Sequence, residues 1–212
     1  MKKAILLGVA ALCMASCGSS SKENAIQRLP SDQISVFTSS DKQLENAYNW
    51  AKKMALSYAH DNSDPVGYWY EAALPQREAF CMRDVSHQSV GAQILGLARH
   101  NKNMFTRFVE NISEEKDWCT YWEINRYNKP APADYTNDKE FWYNLNANFD
   151  VMQACLKMYQ WTGDAGYLTD PLFTNFYEKS VNEYVHRWAL EPEKIMDLSL
   201  IHISEPTRQE AI

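Results

Sequence analysis

Between Pro75 and Gln88 the chain reads PQREAFCMRDVSHQ, which crowds two arginines, two carboxylates, a histidine and two glutamines just ahead of an apolar helical pattern. Arg77 with Glu78 and Arg83 with Asp84 form two charged couples. A helix opening near Asp84 would set that carboxylate at the positive end of the helix dipole, a place suited to an acid that holds a ligand. The plainer reading is that Asp84 caps the helix and the arginines lie on the surface. His87 and Gln88, one helical turn on, fit either a binding pocket or a structural polar contact.

A second group of chemistry-bearing residues follows in 118–137, WCTYWEINRYNKPAPADYTN, which is aromatic, carries two prolines and has no helical period. It reads as a long loop, and loops of this length in compact domains frequently line sites. Trp122 offers a stacking face and Glu123 a carboxyl. Beyond it, Asn144, Asn146, Asn148 and Asp150 sit among aromatic residues at the start of a predicted helix; buried amides need partners. They form either a solvated stripe or the wall of a cleft, and the flanking aromatics favour the cleft, with Asn144 and Asn148 as candidates. No CxxC, HExxH or Cys/His cluster with metal spacing occurs, so neither a metal nor a cofactor is expected.

The elements that must position these residues read as helices. Apolar residues recur at three- and four-residue steps over 41–60 (Leu44, Ala47, Ala51, Met54, Ala55, Tyr58), after Ser40 as a predicted N-cap. A buried helix is predicted over 84–99, with Gly91 and Gly96 inside it, and an amphipathic one over 101–112 through Met104, Phe105, Phe108 and Val109. Residues 138–161 form the most apolar pattern, with Phe141, Trp142, Leu145, Phe149, Met152, Leu156 and Tyr159 on one face and Gly163 as its stop. Asp170-Pro171 opens the last helix, to about 188. Residues 66–74 read as a loop. The expected class is all-α, and glycine-rich phosphate loops and nucleophile elbows are absent.

Composition narrows the ligand. The formal net charge is −6 over 212 residues and the basic residues are scattered, which gives no footprint for nucleic acid. Aromatic residues make up 13% of the chain, seven of them tryptophan, enough to stack on sugar rings as well as to fill a core. The first segment, MKKAILLGVAALCMASC, reads as a secretory signal over 1–16, too short to span a membrane. Met14-Ala15-Ser16-Cys17 resembles a bacterial lipobox, which implies lipidation of Cys17, a tether over 17–40 and a membrane-anchored lipoprotein. The implied location is the cell envelope of a Gram-negative-type bacterium, periplasmic or at the surface. Removing Cys13 and Cys17 leaves Cys81, Cys119 and Cys155, which allows one disulfide and one free thiol. At the other end, LSLIHISEPTR resembles the in-frame translation of a transposon-type sequencing adapter. On that reading 198–212 is a non-native tail and 41–197 is the N-terminal part of a longer domain.

Two stretches carry a further resemblance: QREAFCMRDVSHQ ahead of a buried helix, and FWYNLNANFDVMQACLKMYQWTGD, closing on Trp161-Thr162-Gly163-Asp164. Together they resemble the six-hairpin glycosidase superfamily over about residues 40–190. The resemblance implies an (α/α)6 toroid, here a partial one with an incomplete set of helical hairpins, and an exo-acting glycoside hydrolase taking an oligo- or polysaccharide. It implies that Arg83 and Asp84 hold hydroxyls of the terminal sugar. The reaction needs two carboxyl groups, roughly 5–5.5 Å apart for retention and about 6.5–9.5 Å for inversion. Glu123 is the best acid candidate, with Glu78 behind it, and the superfamily pattern puts the main acid/base pair beyond Asp197, so the chain as given is expected to be inactive on glycosides by itself. A non-catalytic glycan-binding lipoprotein of helical-repeat fold would use the same aromatics and amides; a lyase or epimerase on a similar toroid is a third reading.

Overall fold

The computed structural model describes residues 35–73 and 77–193; the segments read as a signal (1–16) and a non-native tail (198–212), and most of that read as a tether (17–40), lie outside them. The chain is mainly helical. Its elements are α1 (Lys42–Leu56), β1 (Ala59–His60), β2 (Trp69–Tyr70), β3 (Ala79–Cys81), α2 (Met82–Ile94), α3 (Ala98–Val109), β4 (Glu123–Asn125), β5 (Tyr135–Asn137), β6 (Glu140–Phe141), α4 (Ala147–Thr162), α5 (Gly166–Thr169), α6 (Pro171–Lys179) and α7 (Val185–Arg187). A π-helical stretch, Ser180–Tyr184, joins α6 to α7, so the last predicted helix is present but locally underwound.

Among the described residues three two-stranded antiparallel ribbons are added to the expected helical architecture: β1 with β2, β3 with β4, and β5 with β6. Residues 66–74 and 118–137, read as loops, supply β2, β4 and β5. The reason is clearest at β5–β6. Asn137 Oδ1 accepts from the Lys139 backbone N–H at 2.9 Å, Tyr135 donates to Asp138 at 2.5 Å, and Trp142 N–H donates to the Asp134 carbonyl at 2.7 Å. An Asx turn thus competes successfully with helix at the point where a helix was predicted to begin. Phe141 and Trp142 go onto the ribbon, and α4 starts at Ala147 rather than near 138.

The helix ends follow side-chain chemistry. Asp41, not Ser40, caps α1, accepting from the N–H groups of Gln43 at 2.8 Å and Leu44 at 3.3 Å. Asp170 caps α6 through Leu172 N–H, with Pro171 in the first turn. Gly163 stops α4 in the left-handed region.

The core centres on α2, which packs most extensively on α4. The faces that these helices bury are built from small residues: Ser86, Ser89 and Ala92 with Met82 and Val85 on α2, and Ala147, Ala154 and Cys155 with Asn148, Val151 and Met158 on α4. Small side chains bring helix axes close, and the two serine hydroxyls are satisfied by carbonyls of α2 itself. The large residues predicted to form the inner stripe of α4 lie to one side, with Phe149 and Leu156 exposed. Ile94 of α2 is likewise exposed. Cys81, Cys119 and Cys155 are buried free thiols, so the disulfide that their number allowed is not formed.

One polar group is locked inside this core. Asn101 is fully buried; it accepts from the Tyr70 hydroxyl at 2.9 Å and donates to the Ser89 carbonyl at 2.8 Å and to Met158 sulfur at 3.4 Å. It ties α3 to α2, α4 and β2 at one point. Asn101→Ala leaves the Tyr70 hydroxyl unpaired in a dry site and is expected to lower the unfolding free energy by about 2–3 kcal/mol, measured by urea denaturation.

Candidate functional site

The site is assembled by pairing β3 with β4, in the register Ala79↔Asn125, Phe80↔Ile124, Cys81↔Glu123. Directly opposed residues of an antiparallel pair share a face. Phe80 and Ile124 enter the core on one face, and Cys81 and Glu123 turn to the other. Met82 N–H donates to the Trp122 carbonyl at 2.8 Å, so the ladder runs directly into the first turn of α2. Cys81 occupies the N-cap position without making a side-chain cap bond, and Asp84 lies in that first turn, where the helix dipole favours its charge. Burial, with the Asp84 carboxylate adding to it, pushes the Cys81 thiol up to about 12.

These elements wall an open cleft of about 480 Å3. Glu71 and Ala73 form one side, Arg83, Asp84 and Gln88 of α2 the second, and Trp122, Glu123, Asp134 and Trp142 the third, with Arg77 at its edge. The Arg83 guanidinium lies 5.7 Å from the centroid of the Trp122 ring, within the range of a cation–π contact.

Glu123 is the electrostatic centre. Its side chain is fully buried, and Oε2 accepts from Arg77 Nη1 at 2.5 Å. The same nitrogen reaches Asp134 Oδ2 at 3.1 Å, so one guanidinium holds two carboxyl groups. Glu123 Oε1 is buried and has no hydrogen-bond partner among the described residues. Loss of solvent, reinforced by the adjoining Asp134 carboxyl, pushes Glu123 up to about 7, and Arg77 opposes the shift. A carboxyl that carries its proton near neutrality in the wall of a cleft is of the kind that serves as a general acid or base.

The structure brings Arg83, Asp84, Gln88, Trp122 and Glu123 into this one cleft. His87 is exposed, 3.9 Å from Asp150, and lines the neighbouring cavity instead. Glu78 takes a left-handed backbone, φ 47°, and binds Arg126 at 2.7 Å, away from the cleft. The Arg77–Glu78 couple read from the sequence is therefore not formed, since Arg77 goes to Glu123 and Asp134. Asn148 is buried between elements; it accepts from Tyr143 and donates to the Trp118 carbonyl and to Ser180 Oγ. Asn144 is half-buried outside the cleft lining, and Asn146 donates to Asp150. Glu71, Asp134 and Trp142 escaped the sequence reading. Asp134 carries no local signal there, because only the folding back of β4 and β5 brings it to Arg77.

Among the described residues no group of three or more His, Cys, Asp or Glu side chains is arranged to hold a metal ion. No protein-family model matches the chain, and neither curated proteins nor solved structures give a match.

The raised Glu123 group has a stability consequence. The folded protein holds this proton more tightly than the unfolded chain does, so its contribution is fully present below about pH 4.5 and is lost as pH rises through about 7. Glu123→Gln keeps the Arg77 environment uncharged at that position. It is expected to flatten this segment of the stability profile and to raise stability at pH 8 by about 1–3 kcal/mol relative to the parent, read as Tm against pH.

Proposed function

We propose that the chain belongs to an exo-acting glycoside hydrolase of the six-hairpin type, its helices forming part of an (α/α)6 ring. The observation that supports this best is the proton-holding Glu123 in the wall of a cleft shared with Asp84, Arg83 and Trp122. Asp84 accepts from sugar hydroxyls, Arg83 donates to them, and the exposed Trp142 offers a ring face to a pyranose, while Trp122, buried beneath the Arg83 guanidinium, backs the site. Glu123, protonated, gives its proton to the glycosidic oxygen as the bond to the leaving group breaks. Glu71, Asp84 and Asp134 are the other carboxyl groups that line the cleft with Glu123.

In this role Glu123 must be protonated, so kcat/KM falls as pH rises through about 7. Glu123→Gln is expected to lower turnover by about 10^2–10^4-fold with ligand affinity retained, and Asp84→Ala to weaken binding of the sugar itself. Hydrolysis of a panel of oligosaccharides and 4-nitrophenyl glycosides by the full-length enzyme, followed by mass spectrometry, checks both. Sugar binding with no turnover at any pH would instead identify a non-catalytic glycan-binding protein, and absence of both would overturn the carbohydrate reading.

The proposal includes location. Cys17, bearing a diacylglycerol, anchors the protein to the bacterial cell envelope, and among the described residues no helix is long and apolar enough to cross a membrane. Cys17→Ala is expected to shift the expressed protein from the detergent-extracted membrane fraction to the soluble fraction, read by immunoblot; unchanged partition would remove the lipid anchor from the proposal.

A further inference from the structure

A second cavity, of about 510 Å3, lies between α1 and α2 beside the cleft. Glu71, Ala73 and Gln88 line both, so the two are continuous along one wall. Beyond that shared polar rim and the exposed His87 its surface is mostly apolar, with Tyr58, Ala92 and Leu95 lining the space. Gly91 forms part of its floor. Glycine inside a helix weakens it relative to alanine, and a close packing contact does not account for this one: a Cβ built on Gly91 meets nothing within 4 Å. The missing side chain leaves room in the cavity.

We infer that this cavity seats the group on the far side of the glycosidic bond, and that it takes an aryl or alkyl aglycone. The inference rests on the carbohydrate reading of the cleft. A ligand whose sugar is held by Asp84 and Arg83 passes over the rim at Gln88 and Glu71, where its polar linkage meets polar side chains. Its next group then enters a chamber whose tyrosine and aliphatic walls reward apolar area and offer few partners to a hydroxyl-rich ring.

The test is calorimetric titration of the purified protein with methyl and 4-nitrophenyl glycosides of glucose, galactose, mannose and rhamnose. For any sugar that binds, the disaccharide carrying it at the non-reducing end is added. The 4-nitrophenyl glycoside is expected to bind about tenfold more tightly than the methyl glycoside, the gain from burying one small apolar group, and more tightly than the disaccharide. Gly91→Leu, which fills the chamber, is expected to cut that gain below about twofold while leaving methyl glycoside affinity unchanged. Gly91→Ala, with its Cβ in open space, keeps most of the gain and controls for helix stability by its melting temperature.

Equal affinity of the methyl and 4-nitrophenyl glycosides for the parent protein overturns this inference and leaves the cleft reading standing. So does an equal loss for both in Gly91→Leu. A disaccharide that binds more tightly than the aryl glycoside overturns the assigned class of occupant. Failure of every glycoside to bind overturns the carbohydrate reading and this inference with it.

Discussion

The three-residue ladder between β3 and β4 fixes the relation on which the cleft depends. It sets Glu123 opposite Cys81, one turn ahead of Asp84, and continues through the Met82–Trp122 backbone bond into α2. Without it the aromatic segment and the charged start of α2 would be separate features of the surface. The ladder also buries a carboxyl whose desolvation has to be offset, and Arg77 does so by bridging Glu123 and Asp134. A buried acid with one such partner and a second acid beside it stays close to its neutral form. The proton-holding character of Glu123 is thus a property of the strand register as much as of the residue.

The same economy of side-chain size governs the core. Ser86, Ser89 and Ala92 on one helix and Ala147, Ala154 and Cys155 on the other bring α2 and α4 together, and the aromatic bulk lies around that contact: Phe80, Phe105, Phe108, Phe173 and Phe176 are all buried. Lys102 shows how completely the aromatic layer is used, since its ammonium lies 3.8 Å from the Tyr167 ring centroid and 4.6 Å from that of Phe173, and within 3.4 Å of Asp164.

Helix positions were legible where an apolar period and a cap agree, as in α3 with its buried Met104, Phe105, Phe108 and Val109, or at Asp170-Pro171. They were illegible where local side-chain bonds to the backbone compete with the helix, as at Asn137, and where serine and alanine do the packing that a search for leucine and phenylalanine overlooks. At the site, the spacing from Arg83 to Gln88 and the isolation of Glu123 among aromatics were visible in the sequence. The partners of Arg77 were not. The nearest carboxylate along the chain, Glu78, was the natural choice, but its left-handed backbone turns it to Arg126 and leaves Arg77 to residues far away in sequence. Asn148 misled for a related reason, because a buried amide that satisfies itself between Trp118, Tyr143 and Ser180 has the same sequence signature as one that faces a ligand.

Helix α1 has no buried residue; Leu56 at its end packs against the core, but the rest of the helix is tied through a short segment ahead of it, where Lys52 and Tyr48 both reach Ser35, whose own N–H donates to the Ile94 carbonyl at the end of α2. An element held this way opens at a lower free energy than α2 or α4, and its amides exchange with solvent by local opening while the rest of the molecule remains folded. Because α1 forms one wall of the cavity above Gly91, whatever fills that space also fastens the helix. The slowing of amide exchange along Lys42–Leu56 is therefore a spectroscopic measure of occupancy that needs no turnover and no label on the ligand.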